Sequence, residues 1–161
     1  SDGSVRTTEG RASHAWIIHG ANGCAISGMG PVDGHEEIRT SHRAELQGQT
    51  ALFMMLSLIL NYFRVMGSTF VSYCDNQSVV SKVHNGWRMW RYRHTKGPDG
   101  DLQALLRDTL NNLEQRDKLS YSSEWVQAHQ DDTKNIHSLT RESALNVRMD
   151  AQTKEAYNLP A

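Results

Sequence analysis

The chain has 161 residues, 38% hydrophobic and 22% charged, which suits one folded domain with a sizeable core and excludes a disordered polyelectrolyte. A net charge of −1 and a pI of about 6.7 exclude a protein that is basic throughout, so any nucleic-acid contact has to come from a local patch. The longest apolar run, residues 51–60, is interrupted by Ser57 and falls short of the roughly 18 residues of a membrane span.

In chain order, Asp2 sits on an opening strand. Residues 12–18 read as a second strand, and the turn Gly20-Ala-Asn-Gly23 leads to a third at about 24–29, which makes a hairpin. Glycines and Pro31 break the pattern over 28–34. Ser41 is placed to cap a long helix over 43–64, whose apolar content rises as expected of a helix packed on a sheet. Residues 69–73 are a short strand rich in β-branched and aromatic side chains, and a helix over 77–84 follows with Asp75 or Asn76 as its cap. Residues 87–99 are irregular and basic. A helix over 101–113 sets Leu102, Leu105, Leu106, Leu110 and Leu113 on one side. A strand over 119–127, a polar loop over 130–137 and a helix over 140–157 complete the order βββαβααβα. That order implies an α/β fold: one mixed five-stranded sheet with helices on its faces, as a single domain over 1–161.

Cys24 and Cys74 stand far apart, so a disulfide framework is not expected, and reduced thiols fit an intracellular chain, cytoplasmic or nuclear. The opening residues carry no signal-peptide pattern. Eight histidines occur without Cys/His pairs at zinc-finger spacing.

Four short segments concentrate acidic side chains at strand or helix positions: Asp2-Gly-Ser4, Arg43-Ala-Glu45-Leu46, Tyr73-Cys-Asp75-Asn76 and Asn146-Val-Arg-Met-Asp150. Asp75 falls just past the carboxyl end of its strand, where open α/β sheets carry their sites. Each acid also has an ordinary reading. Asp75 suits a helix cap, Glu45 a first-turn acid facing the helix dipole, and Asp150 an exposed pair with Lys154 four residues on. His129 alone reads as a surface or packing residue, and Asp2 beside a chain end as a disordered one.

The four segments, in this order and followed by Glu124-Trp-Val-Gln-Ala-His129, resemble the type I ribonuclease H family over nearly the whole chain. Within it, Thr-Ser-His-Arg-Ala-Glu-Leu at 40–46 and Glu9-Gly10 look more like retroelement-encoded domains than bacterial stand-alone enzymes. The resemblance implies an endonuclease that cuts the RNA strand of an RNA–DNA hybrid with two Mg²⁺ ions, Mn²⁺ being the alternative. It makes Asp2 the bridging metal ligand, puts Asp150 at the attacking water, and sets Glu45 and Asp75 on the leaving-group side. His129 then sits on a mobile loop and handles a proton or product release, a role suited to a group that titrates near neutrality. Hard cations prefer such carboxylate oxygens, and a pair roughly 4 Å apart serves the attacking water and the leaving oxygen together.

The resemblance also makes Thr40, His42 and Gln77 contacts to the hybrid backbone and places Asn146 beside the metals. Trp87, Arg88, Trp90 and Arg91 belong to a segment, 87–96, with four Lys/Arg and three aromatics. Such a mixture lines grooves that neutralise phosphates and stack on bases, and it takes the place of the family's basic protrusion. Departures from the pattern are His42 where asparagine is common, a 6–11 loop without Gly-Asn-Pro-Gly, and a first strand truncated ahead of Asp2. The last suggests a piece of a longer chain, with a polymerase or reverse transcriptase domain as its neighbour. The rival readings are a DNA-acting integrase or transposase relative and a non-catalytic scaffold or connection domain. The order Asp, Glu, Asp, Asp speaks against the first, and the presence of all four acids against the second.

Overall fold

A computed structural model describes residues 1–6, 9–85 and 97–156. The chain is a mixed α/β protein in the expected order: strands β1 (Asp2–Arg6), β2 (Arg11–His19) and β3 (Ala25–Pro31), then helix α1 (Ser41–Phe63). Strand β4 (Thr69–Cys74), helices α2 (Gln77–His84) and α3 (Gly100–Gln115), strand β5 (Ser120–Trp125) and helix α4 (Arg141–Ala156) follow. Among the described residues, no helix is long and apolar enough to cross a membrane.

The strands do not form the single five-stranded sheet expected. They form an antiparallel sheet β1-β2-β3 and a separate parallel pair β4-β5. Asp2 faces Ala15, so β1 covers β2 only from Ala15 to Arg11, while Trp16 to His19 pair with β3 alone. Where the sheets come together, the Ser1 ammonium and the Gln49 amide both donate to the Tyr73 carbonyl, at 3.0 and 3.4 Å.

Helices α1 and α4 both pack on the three-stranded sheet, α1 also meeting α3 and α2. Trp16 joins the α1 side of the core with Leu46, while Ser13 Oγ donates to the Thr153 carbonyl of α4 at 2.7 Å. With helices on both faces, residues Ala12 to Trp16 are buried consecutively rather than alternately. The main core gathers Leu46, Phe53 and Leu56 of α1, Val79 and Val83 of α2, and Leu106, Leu110 and Leu113 of α3. Phe53 stands edge-on to Phe70 and Tyr121, with centroids 5.8 and 5.9 Å away, which ties α1 to the parallel pair. Leu105, placed with the apolar side of α3 by spacing, is instead 42% exposed, because the four-residue steps Leu102, Leu106, Leu110 already define the buried stripe.

Two further local expectations change. Strand β3 runs through the glycines to Pro31, because a Cβ at Gly28 would lie 2.5 Å from the Trp16 ring. Glycine there makes room for a cross-strand indole rather than a break. The cap of α1 is Thr40, whose Oγ1 accepts from Arg43 N at 3.1 Å, and not Ser41.

The start of α1 is buried to an unusual degree, with Arg43 through Thr50 all inside. Arg43 donates from Nε to the Asp33 carbonyl, from Nη1 and Nη2 to both Asp101 carboxylate oxygens at 2.9 and 2.6 Å, and from Nη1 to Asp99. One guanidinium thus joins the β3–α1 loop to the start of α3. A buried charge tolerates such a position only with this many partners.

Candidate active site

A cleft of about 840 Å³ opens at the ends of β1, β4 and α1, and its wall includes Asp2, Glu45, Asp75, His129 and Asp150. All five residues expected to carry chemistry therefore share one cavity. Asp2 reaches it from the first residue of β1, Glu45 from the second turn of α1, Asp75 from just beyond β4, and Asp150 from the middle of α4.

Gly3 makes the approach of β1 to α1 close enough. A Cβ there would lie 2.4 Å from Ala44 C and Glu45 N, so any side chain would push the strand away. The Gly3 N–H instead donates to Glu45 Oε1 at 2.7 Å. The second Glu45 oxygen accepts from the Cys74 thiol at 3.4 Å, and Cys74 Sγ in turn accepts from Asn76 N at 3.4 Å. Glu45 is thereby held on both oxygens. Candidate ligand atoms of Glu45, Cys74 and Asp75 lie within 4.8 Å of one another. The Cys74 thiol is fully buried, and burial followed by the Glu45 charge pushes its titration well up. It therefore acts as a hydrogen-bond donor that orients a carboxylate, not as a thiolate.

Thr153 ties Asp2 to the helix that carries Asp150. Its Oγ1 lies 2.8 Å from the Asp150 carbonyl and 3.4 Å from Asp2 Oδ2. Asp150 also accepts from Lys154 Nζ at 2.7 Å, so the ordinary i,i+4 pair exists and coexists with a place in the cleft. The cap reading of Asp75 does not hold in the same way: Asn76 caps α2, accepting from Ser78 N and Val79 N. That leaves the Asp75 side chain to the cleft, while its carbonyl is fixed by Trp125 Nε1 at 2.8 Å.

The electrostatics are those of crowded like charges. The Asp2 carboxyl is pushed up to about 7, first by burial and then by Asp75 and Asp150. Glu45 is held well above the usual carboxylate range by burial, then by Asp75 and Asp2, although the Gly3 N–H and the terminal ammonium pull the other way. Buried acids that repel one another are what a cation can relieve.

His129 is exposed on the rim, with a left-handed backbone at φ 50°, where it leads the 3-10 turn Gln130–Asp132. Gln130 Nε2 donates to Ser143 Oγ at 2.9 Å, fastening this loop to the start of α4. Histidine is among the residues that tolerate this conformation, which clusters at functional sites.

Of the expected substrate contacts, Thr40 lines the cleft. His42 stands beside it at the α1 start, 3.9 Å from Asp99 and outside the cleft wall. Its imidazole is pushed down by burial and then by Lys82. Gln77 is exposed at the first position of α2, also outside the wall. Asn146 is buried one turn from Asp150 and lines a neighbouring cavity with Ser1, Tyr73 and Met149. Trp87, Arg88, Trp90 and Arg91 lie outside the described residues.

Sequence reasoning passed over Gly3, Thr153 and the donor role of Cys74. Gly3 and Cys74 flank acids within the very motifs that drew attention, and Thr153 follows Asp150 by three residues, one face of the same helix. No protein-family model and no curated protein matches the chain.

Proposed function

We propose that the chain is a ribonuclease H-type endonuclease that hydrolyses the RNA strand of RNA–DNA hybrids, and that its α/β architecture is a variant of that family's fold. The observation that carries the reading is the convergence of Asp2, Glu45, Asp75 and Asp150 on one cleft, two of them buried and mutually repelling. Counter-charge is present but insufficient: Lys154 pairs with Asp150, and the Ser1 ammonium, which donates to Tyr73, only partly offsets the crowding of Asp2 and Glu45.

The donor set fits hard divalent cations. It offers several carboxylate oxygens, and its one sulfur is protonated and spent on Glu45. Asp2 and Asp150 would hold one Mg²⁺ or Mn²⁺, and Glu45 and Asp75, with Asp2 shared, the other. When bound, the ions supply a readily deprotonated water and charge relief at the phosphate. Glu45 is kept in place by Gly3 and Cys74, and Asp2 is tied by Thr153 to α4, the helix that carries Asp150. In the hydrolysis, the water oxygen forms a bond to phosphorus, the P–O3′ bond breaks, and the leaving 3′ oxygen gains a proton. His129 on the rim is placed to carry that proton or the one released by the water.

Cleavage of labelled RNA–DNA hybrid, RNA duplex, DNA duplex and single strands, each with Mg²⁺, Mn²⁺ or EDTA, tests the reading. It expects metal-dependent cuts in the RNA of the hybrid alone. Cuts in duplex DNA would favour an integrase-like relative, and no cut in any substrate would favour a scaffold domain.

A further inference from the structure

The second half of α1 is apolar on every side. Between Glu45 and Arg64 the sequence has no charged residue and no histidine. Phe53, Leu56 and Leu60 enter the core, while Met54, Leu58 and Tyr62 recur every four residues on the opposite side, which is exposed. Phe63, edge-on to Tyr62 with centroids 4.9 Å apart, continues the patch around the helix end with Val65 and Met66. These six residues are 40 to 80% exposed. A helix that is apolar all round is normally a buried one.

Area and charge favour a second copy of the chain as the cover. At roughly 150–250 Å² for a large side chain, such exposures amount to about 600 Å² of apolar surface. That is the top of the range of about 300–600 Å² for the largest apolar patch on a monomer. A standard interface takes about 800 Å² from each partner, so a narrow polar rim completes it. The edge of the patch supplies that rim: Arg116 donates to Ser57 Oγ at 2.9 Å and pairs with Asp117 at 2.8 Å, and Arg64 caps the helix end. An uncharged patch meets its own copy without like-charge repulsion, and an even four-residue spacing is self-complementary across a two-fold axis.

We infer that the outer face of α1, centred on Leu58, is a homodimer interface in which the helices of two copies lie antiparallel. Leu58 then meets its counterpart on the axis, and Met54 of each copy meets Tyr62 of the other, a thioether against an aromatic ring. The inference stands apart from the hydrolase reading. Leu58 lies several turns beyond Glu45 on the same helix, about 20 Å along its axis, so the contact stays clear of the cleft.

The test measures mass in solution by sedimentation across a dilution series, for the parent and for Leu58→Lys. An interface at the small end of the standard range is dynamic, so the parent should be mostly dimer at about 100 µM and dissociate on dilution. Leu58→Lys sets like charges against each other on the axis and should weaken association by at least about tenfold. Lysine is a good helix former and suits the last turns of a helix, so the fold and Tm of the variant should be those of the parent. A cross-linking arm uses Leu58→Cys with Cys24, an exposed thiol, replaced by serine. Mild oxidation should give a disulfide-linked dimer through Leu58→Cys, and none through Leu105→Cys on the exposed side of α3. This arm also decides if Leu58→Lys does not fold. A parent that stays monomeric at every concentration overturns the inference, whether the patch then takes up neutral lipid vesicles or a different polypeptide. A dimer that a folded Leu58→Lys leaves intact, or that does not cross-link through Leu58→Cys, overturns it as well.

Discussion

At the scale of single residues, the cleft is a set of acids whose geometry comes from their neighbours rather than from themselves. Glu45 is positioned by a backbone N–H and a thiol, and Asp2 by a threonine hydroxyl. His129 stands apart from that network, on an exposed left-handed turn. It is expected to act in proton handling or product release, not in holding ions. His129→Ala should therefore lower kcat by about a hundredfold, the lower end of general acid–base effects, and leave KM nearly unchanged. A pH–rate profile of the variant superimposable on that of the parent would make the histidine a bystander.

The acids and the histidine were legible because short motifs keep their spacing when the chain folds. The span of α2 was legible for the same reason, and its cap was narrowed to Asp75 or Asn76, of which the fold uses Asn76. The thiol of Cys74 was not, because its meaning depends on Glu45, 29 residues away, burying it. Gly28 looked like a strand breaker until Trp16 of the neighbouring strand was seen over it.

At the scale of elements, the decisive contact is β1 against α1. The two come close because Gly3 on the strand has no side chain, and Gly48 on the helix lies within 3.3 Å, from an added Cβ, of the Asp2 carbonyl. Gly3→Ala should cost about 1 to 3 kcal/mol, the usual range for overpacking. It should also reduce cleavage more than that loss explains, because the added Cβ pushes the residue-3 N–H away from Glu45. Denaturant unfolding and cleavage under fully folded conditions separate the two effects, and a stable, fully active Gly3→Ala would contradict the assigned role. The division into two sheets belongs to this scale as well. Strand order could be read from local patterns, but whether β1 and β4 form a ladder depends on register across distant segments.

At the scale of the molecule, the cleft makes stability depend on protons and, on the proposed reading, on cations with them. Asp2 titrates at about 7 in the fold against 3.8 for an ordinary aspartate, so the folded state binds its proton more tightly than the unfolded chain. This contribution to stability is fully present below the unfolded value, near pH 4, and is lost as pH rises through about 7. Glu45, raised in the same direction, adds to it. On the proposed reading a divalent cation would replace the proton, and at a hundredfold excess over Kd it would stabilise by about 2.7 kcal/mol. The rise in Tm on adding Mg²⁺ should therefore be small near pH 5 and largest near pH 8. An equal rise at both would show that the ion binds somewhere other than these carboxylates.

The most direct measurement is cleavage of RNA–DNA hybrid in Mg²⁺ by the parent and by Asp75→Asn. The substitution removes one ligand charge from the cleft and leaves the α2 cap, which Asn76 supplies, untouched. The account predicts a cooperative fold at least as stable as the parent's, because Asp75 repels Asp2 and Glu45, together with loss of RNA cleavage that added Mg²⁺ does not restore. A folded Asp75→Asn that cuts hybrid at the parental rate would contradict the four-carboxylate mechanism outright.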